Sequence, residues 1–145
     1  MAPPLGDLSA PLGAVGDAAS VHVPLALLAP AQAEAVAAVA GDGPVVITPW
    51  RGVVVPGGAS GLGELGSVGL VTEEAAAWSL VSACVGAPGC AQALVDTRTA
   101  ARALVGSGGV GARTHLSGCA RRCGAPTAPY VDLVGDARTR TLVRR

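Results

Sequence analysis

The sequence is poor in the residues that usually build a large hydrophobic core. Among 145 residues there is no Phe, one Tyr and two Trp, so aromatic residues make up 2% of the chain. Aromatic side chains bury the most apolar area per residue, and a core of Ala, Val and Leu alone is marginal at this size. Hydrophobic residues still reach 50% of the chain, which is above the level of disordered proteins. We expect one ordinary domain or two very small ones, stabilised by a cofactor, a partner chain or a further part of the polypeptide.

The chain also lacks Lys and any excess of charge. Its ten basic residues are all Arg, ten acidic residues balance them, and charged residues make up 14% of the chain. Nucleic-acid binding depends on clustered basic groups that displace counterions from the phosphates. The composition therefore predicts that nucleic acid is not a partner.

Targeting and membrane signals are absent as well. The first residues have no basic stretch followed by a continuous apolar run, as a signal peptide would. The most apolar window, residues 21–40, is interrupted by His22, Pro24, Pro30 and Glu34, which disfavours a transmembrane helix. We expect a cytoplasmic protein without membrane contact, whose cysteines bind metal or stay reduced rather than forming disulfides.

The first half of the sequence predicts a small α+β layer. Residues 1–19 are rich in Pro and Gly and are expected to be irregular, and residues 21–25 are expected to form a short strand. A helix is predicted from Pro30 to Gly41, because Pro suits a first helical turn and Gly the position after the last. Two β-branched runs follow, separated by a break at residues 48–51, where Pro49 cannot donate to a sheet.

The second half alternates helical and extended patterns. The glycine-rich residues 56–69 are interpreted as a linker or flexible loop that marks a domain boundary. A helix is predicted from Thr72 to about Cys84, since a hydroxyl cap and acids in the first turn favour a helix start. A second helix is predicted over residues 96–104 with Asp96 as its cap, and strands over residues 113–116 and 130–134.

Four cysteines form the most informative pattern. They occur as C-x5-C, a gap of 28 residues, and C-x3-C, which would allow two loops to converge on one tetra-thiolate site. Thiolates bind zinc and iron–sulfur clusters, but structural zinc usually has two to four residues between paired ligands. The wider first loop favours an iron–sulfur cluster, while structural zinc and unlinked thiols remain alternatives. The four residues are Cys84, Cys90, Cys119 and Cys123.

Three segments resemble one protein family. The cysteine segments ACVGAPGCAQALVDTR (residues 83–98) and THLSGCARRC (residues 114–123) resemble the two cluster loops of the nitrite/sulfite reductase superfamily. Together with ITPWRGVVVPG (residues 47–57), they most resemble precorrin-3B synthases of aerobic cobalamin biosynthesis. The resemblance implies an α+β fold, in which a ferredoxin-like half domain (residues 20–58) precedes a small α/β iron–sulfur domain (residues 70–145).

The same resemblance implies the cofactors and the reaction. The four cysteines would bind one [4Fe-4S] cluster, and in sirohaem reductases the last cysteine, here Cys123, also bridges to the sirohaem iron. Sirohaem or a second non-haem iron is therefore a further candidate cofactor. In precorrin-3B synthase, molecular oxygen and reducing equivalents hydroxylate precorrin-3A and close a lactone. That substrate is a tetrapyrrole with many carboxylates, which Arg51 and Arg121 would bind through their planar guanidinium groups.

Other residues of these motifs have two interpretations each. Arg51 could instead be a solvated loop residue, and Trp50 could stack on a tetrapyrrole or belong to the core. Arg122 replaces the small residue usual in the family, and would either crowd the cluster or add an anion contact. His115 is interpreted as a packed histidine rather than a ligand.

The resemblance covers only the second of two pseudo-repeated halves in the family. We therefore expect an electron donor and either a missing first half or a partner chain to complete the tetrapyrrole cavity. Two alternative functions stay open: a sirohaem-dependent nitrite or sulfite reductase domain, and a non-catalytic [4Fe-4S] module left by truncation.

Overall fold

Two four-stranded sheets organise the described part of the chain, one in each of two units. In a computed structural model, which describes residues 11–74 and 76–145, the units comprise Met1–Ala75 and Ala76–Arg145. Each sheet is accompanied by helices, so the predicted α+β class is confirmed. Within the described residues, no helix is long and apolar enough to cross a membrane.

The elements of the first unit are β1 (Gly13–Val15), β2 (Ala18–His22), a 3-10 turn (Pro24–Ala26), α1 (Pro30–Ala40), β3 (Val46–Thr48), β4 (Gly52–Val55), a second 3-10 turn (Ala59–Gly61) and α2 (Leu62–Ser67). The strands form an antiparallel sheet of order β1-β2-β4-β3. Aliphatic residues of β2, β4 and two helices form its core, including Val21, Val55 and Leu65, which are fully buried.

The local signals of this unit are confirmed at two places. Helix α1 begins at Pro30 and is capped by Gly41, whose φ of 55° suits glycine. The break predicted at residues 48–51 is the turn between β3 and β4, and there the Gly52 amide donates to the Thr48 hydroxyl at 3.1 Å.

Two expectations for this unit are wrong. Residues 56–69 are not a loop, because α2 forms there and Leu65 is fully buried. A Cβ at Gly61 would lie 2.6 Å from Val39, so the glycine serves close packing rather than flexibility. The expectation that residues 1–19 are irregular is also wrong, because residues 13–15 and 18–19 belong to strands. Residues 1–10 lie outside the described residues.

The elements of the second unit are α3 (Ala77–Leu80), β5 (Val81–Ala83), α4 (Thr97–Gly106), β6 (Thr114–Ser117), β7 (Val131–Gly135) and β8 (Leu142–Arg144). The strands form a mixed sheet of order β5-β6-β7-β8. Strands β5, β6 and β7 are parallel, and β8 is antiparallel to β7. The strands predicted at residues 113–116 and 130–134 correspond to β6 and β7.

The helix predicted to reach Cys84 is too long. Among the described residues of that stretch, which leave out residue 75, only α3 is helical. The chain then becomes strand β5, which pairs with β6 more than thirty residues later. Val81 is fully buried in this sheet, so tertiary pairing overrides the local helical pattern. Helix α4 is confirmed, and its cap Asp96 accepts from the amides of Arg98 and Thr99 at 3.1 and 3.0 Å.

Candidate functional site

All four cysteines line one cavity of the second unit, at the carboxyl ends of β5 and β6. The cavity has a volume of about 300 Å³, and all four side chains are free thiols. Two loops form its wall, one after each strand. The lining residues are Cys84, Val85, Gly89, Cys90, Ala93, Gly118, Cys119, Arg121, Arg122 and Cys123.

The first loop is held against the start of α4. The Cys84 amide donates to the Leu116 carbonyl at 3.0 Å, and the buried Thr97 hydroxyl donates to the Cys84 carbonyl at 2.8 Å. Gly86 has a φ of +68°, and a Cβ there would collide with Thr97. The Cys90 amide closes the turn by donating to the Gly86 carbonyl at 2.8 Å.

Gly118 joins the two loops. Its amide donates to the Cys84 sulfur at 3.1 Å, and its carbonyl accepts from the Leu94 amide at 2.8 Å. A Cβ at Gly118 would lie 2.7 Å from the Ala93 side chain. A side chain is therefore sterically excluded, and the backbone amide can approach sulfur.

The second loop winds tightly around Cys123. Arg122 and Gly124 on either side have φ values of 51° and 75°, a region that is uncommon for residues other than glycine. The Arg122 Nε donates to Asp132 Oδ2 at 2.6 Å, and the ion pair is only partly exposed. This bond raises the pKa of Arg122. Arg122 therefore borders the cavity with its guanidinium already paired.

His115 supports the same loop from below. The residue is 1% exposed, its Nε2 lies 3.2 Å from the Cys123 carbonyl, and its Nδ1 lies 2.8 Å from the Ser82 hydroxyl. A carbonyl only accepts, so in the neutral ring Nε2 carries the proton and Nδ1 accepts from Ser82. The structure thus places His115 as a packed residue that contacts a cysteine backbone.

The two predicted anion-binding arginines occupy different surroundings. Arg121 is exposed beside the cysteines, and its side chain makes no hydrogen bond or ion pair among the described residues. Arg51 lies in the first unit, at the turn before β4, where its φ is 61° and its carbonyl accepts from the Val23 amide at 2.8 Å. Trp50 is 45% exposed, so the core interpretation of that residue is wrong.

His22 is the second buried histidine and lies in the first unit. Its side chain is buried, and its Nε2 has no partner among the described residues. Burial lowers the pKa of His22 to about 4, and the positive charge of Arg51 adds to this effect. His22 is therefore neutral at physiological pH.

Asp132 and Ser82 contact residues of the candidate site, and the sequence did not identify either of them. An acid within the apolar strand around residues 131–134 was a usable signal, because an unpaired buried carboxylate would be costly. Ser82 carried no signal, since its partner lies 33 residues away.

The donor chemistry of four thiols around one cavity suits a thiolate-bound metal group. No group of three or more metal-binding side chains converges for one ion in residues 11–74 and 76–145, although the four thiols share one cavity. In a [4Fe-4S] cluster each thiolate binds a different iron, so the sulfurs surround a volume rather than a point. Glycine walls and an amide donor to sulfur match this requirement.

No family model and no curated protein matches the sequence. Among solved structures, the chain is similar to the NirA protein of Mycobacterium tuberculosis, with a TM-score of 0.60 and 19% sequence identity. The likeness covers 88% of this chain and 27% of that chain. It is a likeness of fold, and this chain spans about a quarter of the NirA protein.

Proposed function

We propose that this chain is an iron–sulfur oxidoreductase domain in which Cys84, Cys90, Cys119 and Cys123 bind one [4Fe-4S] cluster. The observation that carries the proposal is the single cavity lined by all four thiols, which lie up to 39 positions apart in the sequence. The resemblance of the loop sequences and the likeness in fold to NirA support the same class.

A bound cluster would supply single-electron transfer at a potential set by burial, charge and hydrogen bonds to sulfur. The chain provides such a bond from Gly118 to the Cys84 sulfur. Arg121 adds an exposed positive charge at the cavity. A carboxylated ligand could contact this guanidinium in a bidentate manner.

The finer proposal is a reaction of the precorrin-3B synthase type. Molecular oxygen and reducing equivalents from an electron donor would hydroxylate precorrin-3A and close a lactone. Arg121 would bind substrate carboxylates, and Arg51 in the TPWR segment would bind others. The loop sequences support this choice, and a partner chain or further polypeptide would complete the tetrapyrrole site.

A sirohaem-dependent nitrite or sulfite reductase domain is the second candidate. It is supported by the resemblance of the two cysteine loops to this superfamily and by the likeness in fold to the NirA protein. Such reductases surround their small anionic substrate with basic residues that include Lys, and this chain contains no Lys. A bare iron–sulfur module is the third candidate.

The first experiment is anaerobic purification followed by iron and acid-labile sulfide analysis and electron paramagnetic resonance after reduction. We expect about four iron and four sulfide per chain, with the reduced-cluster signal lost in Cys90→Ser. Ser79→Ala, in helix α3 and outside the cavity lining, is the control and should keep the signal. Zinc, or no metal in a folded chain, would contradict the proposal.

The second experiment separates the three candidates. A carboxylated tetrapyrrole is titrated into the iron-loaded chain and into Arg121→Ala and Arg51→Ala. Weaker binding in both variants supports an enzyme site, whereas no binding by the parent chain favours the bare module. Copurified sirohaem favours the reductase, and oxygen-dependent hydroxylation of precorrin-3A favours the synthase.

A further inference from the structure

One row of polar side chains crosses the parallel part of the second sheet directly beneath the cysteine loop. Ser82 of β5 is in register with His115 of β6, and His115 is in register with Asp132 of β7. Side chains at matched positions of neighbouring strands point to the same face of a sheet. The three residues, here called the polar row, therefore share one face.

Two members of the polar row hold two successive residues of the loop. His115 Nε2 contacts the Cys123 carbonyl at 3.2 Å, and Asp132 Oδ2 accepts from the Arg122 Nε at 2.6 Å. Ser82 fixes the His115 ring through its other nitrogen at 2.8 Å. Tyr130 packs its ring against His115 at a right angle, with 6.1 Å between the ring centroids.

The loop requires such anchors. Arg122 adopts a left-handed φ of 51°, which disfavours a residue with a side chain. Asp132 Oδ1 is buried without a partner among the described residues, an uncommon and unfavourable state. The Asp132 carboxylate is thus held at this position although only one of its oxygens is paired within the described part of the chain, and that oxygen binds Arg122 of the loop.

We propose that Ser82, His115 and Asp132 are positioning residues that fix the loop bearing Cys119 and Cys123. Asp132 binds Arg122 and so anchors the loop, whereas Arg121 can bind an anionic ligand. The two neighbouring arginines therefore have different tasks. The part of this inference that concerns a bound cluster rests on the function proposed above.

The test compares two carboxylates of the same strand region. Asp132→Asn removes the charge that holds Arg122, while Asp136→Asn, the control, breaks the ion pair of Asp136 with Arg145 at 3.1 Å, which lies outside the cavity lining. Amide hydrogen exchange is measured on the purified full chain. Exchange at residues 119–125 should rise about tenfold in Asp132→Asn, the effect of losing one charge-assisted hydrogen bond, and stay unchanged in Asp136→Asn. Asp132→Glu, which keeps the carboxylate, should restore most of the protection.

The reduction potential of the iron-loaded chain is the second readout. Loss of the Asp132 charge leaves Arg122 unneutralised, so the potential should rise more in Asp132→Asn than in Asp136→Asn. Equal exchange in the two variants, or equal potentials, would overturn the proposal. If the parent chain contains no iron or sulfide, the proposed function fails, and the exchange comparison alone decides about the polar row.

Discussion

The two units bury their sheets with different kinds of side chain. In the described part of the chain, the first unit buries a continuous aliphatic cluster drawn from β2, β4, α1 and α2. The second unit buries four apolar side chains, Val81, Ala101, Leu116 and Val134, and as many polar ones, Thr97, Thr114, His115 and Ser117. One sheet is therefore supported by hydrocarbon packing, and the other by hydrogen bonds around a thiol-lined cavity.

This difference shows where each unit obtains its stability. Burial of apolar surface is the main favourable contribution to folding, and the first unit has that contribution within its own sequence. Small folds with too little apolar core usually depend on a metal, a disulfide or a partner. The cysteines of the second unit are free thiols, so we expect a bound cluster to supply the missing stability there.

The largest effect should come from removing the cluster. When iron is chelated from the reduced, iron-loaded chain without oxygen, amide exchange in β5, β6 and β7 should accelerate at least about a thousandfold. Tight binding to the folded state alone contributes stability of that order. Exchange in β2 and β4 should stay within about twofold. Hydrogen-exchange mass spectrometry measures both units in one sample. Equal acceleration in the two sheets would contradict the prediction that only the second unit depends on the cluster.

A substitution in the aliphatic core of the first unit should destabilise that unit and leave a cluster bound to the second unit in place. Leu65→Ala removes a fully buried side chain of the first unit, and should lower the free energy of unfolding of that unit by about 3 kcal/mol. Iron content and the reduced-cluster signal should not change. Leu27→Ala, at a residue that is 40% exposed, is the matched control and should cost less than about 0.5 kcal/mol. Iron loss in Leu65→Ala would show that the cavity depends on the first core.

The sequence predicted those elements whose ends are marked locally. Pro30 and Gly41 delimit α1, and Asp96 caps α4, because these residues act on neighbouring backbone groups. Residues 72–84 and 56–69 were misassigned for the opposite reason. Strand β5 exists because β6 pairs with it, and α2 exists because Leu65 enters a distant core.

The candidate site likewise has features that the sequence predicted and features that it could not reveal. Cysteine spacing predicted a shared site, and the four thiols do line one cavity, although their role as ligands stays a prediction. The spacing could not reveal the polar row, because Ser82, His115 and Asp132 meet only through the register of three strands. Nor could it show that, among the described residues, Arg122 is paired and Arg121 is not, since Asp132 lies ten positions away from Arg122.

The smallest predicted effect is a pH dependence of stability that arises from His22, one of the two buried histidines. His115 has hydrogen-bond partners at both ring nitrogens, whereas burial and Arg51 lower the pKa of His22 to about 4. An unfolded histidine takes up its proton near pH 6.5, so between pH 6.5 and 4 the unfolded state binds more protons than the folded one. The first unit should keep its full stability above pH 6.5 and lose up to about 2 kcal/mol as the pH falls to 4, allowing for partial solvent screening.

His22→Gln should flatten this profile, because the amide does not titrate in that range. Backbone hydrogen bonds lower the pKa values of Asp96 and Asp136, so their contributions begin to fall only near the lower end of this pH range, and both residues belong to the second unit. Urea unfolding at pH 7, 6, 5 and 4, followed by exchange in β2 and β4, gives the profile for the first unit. If His22→Gln and the parent chain lose stability in parallel, protonation of His22 is not the cause. A difference confined to the first unit instead means that burial of His22 opposes its protonation and thereby lowers the stability of that unit at low pH.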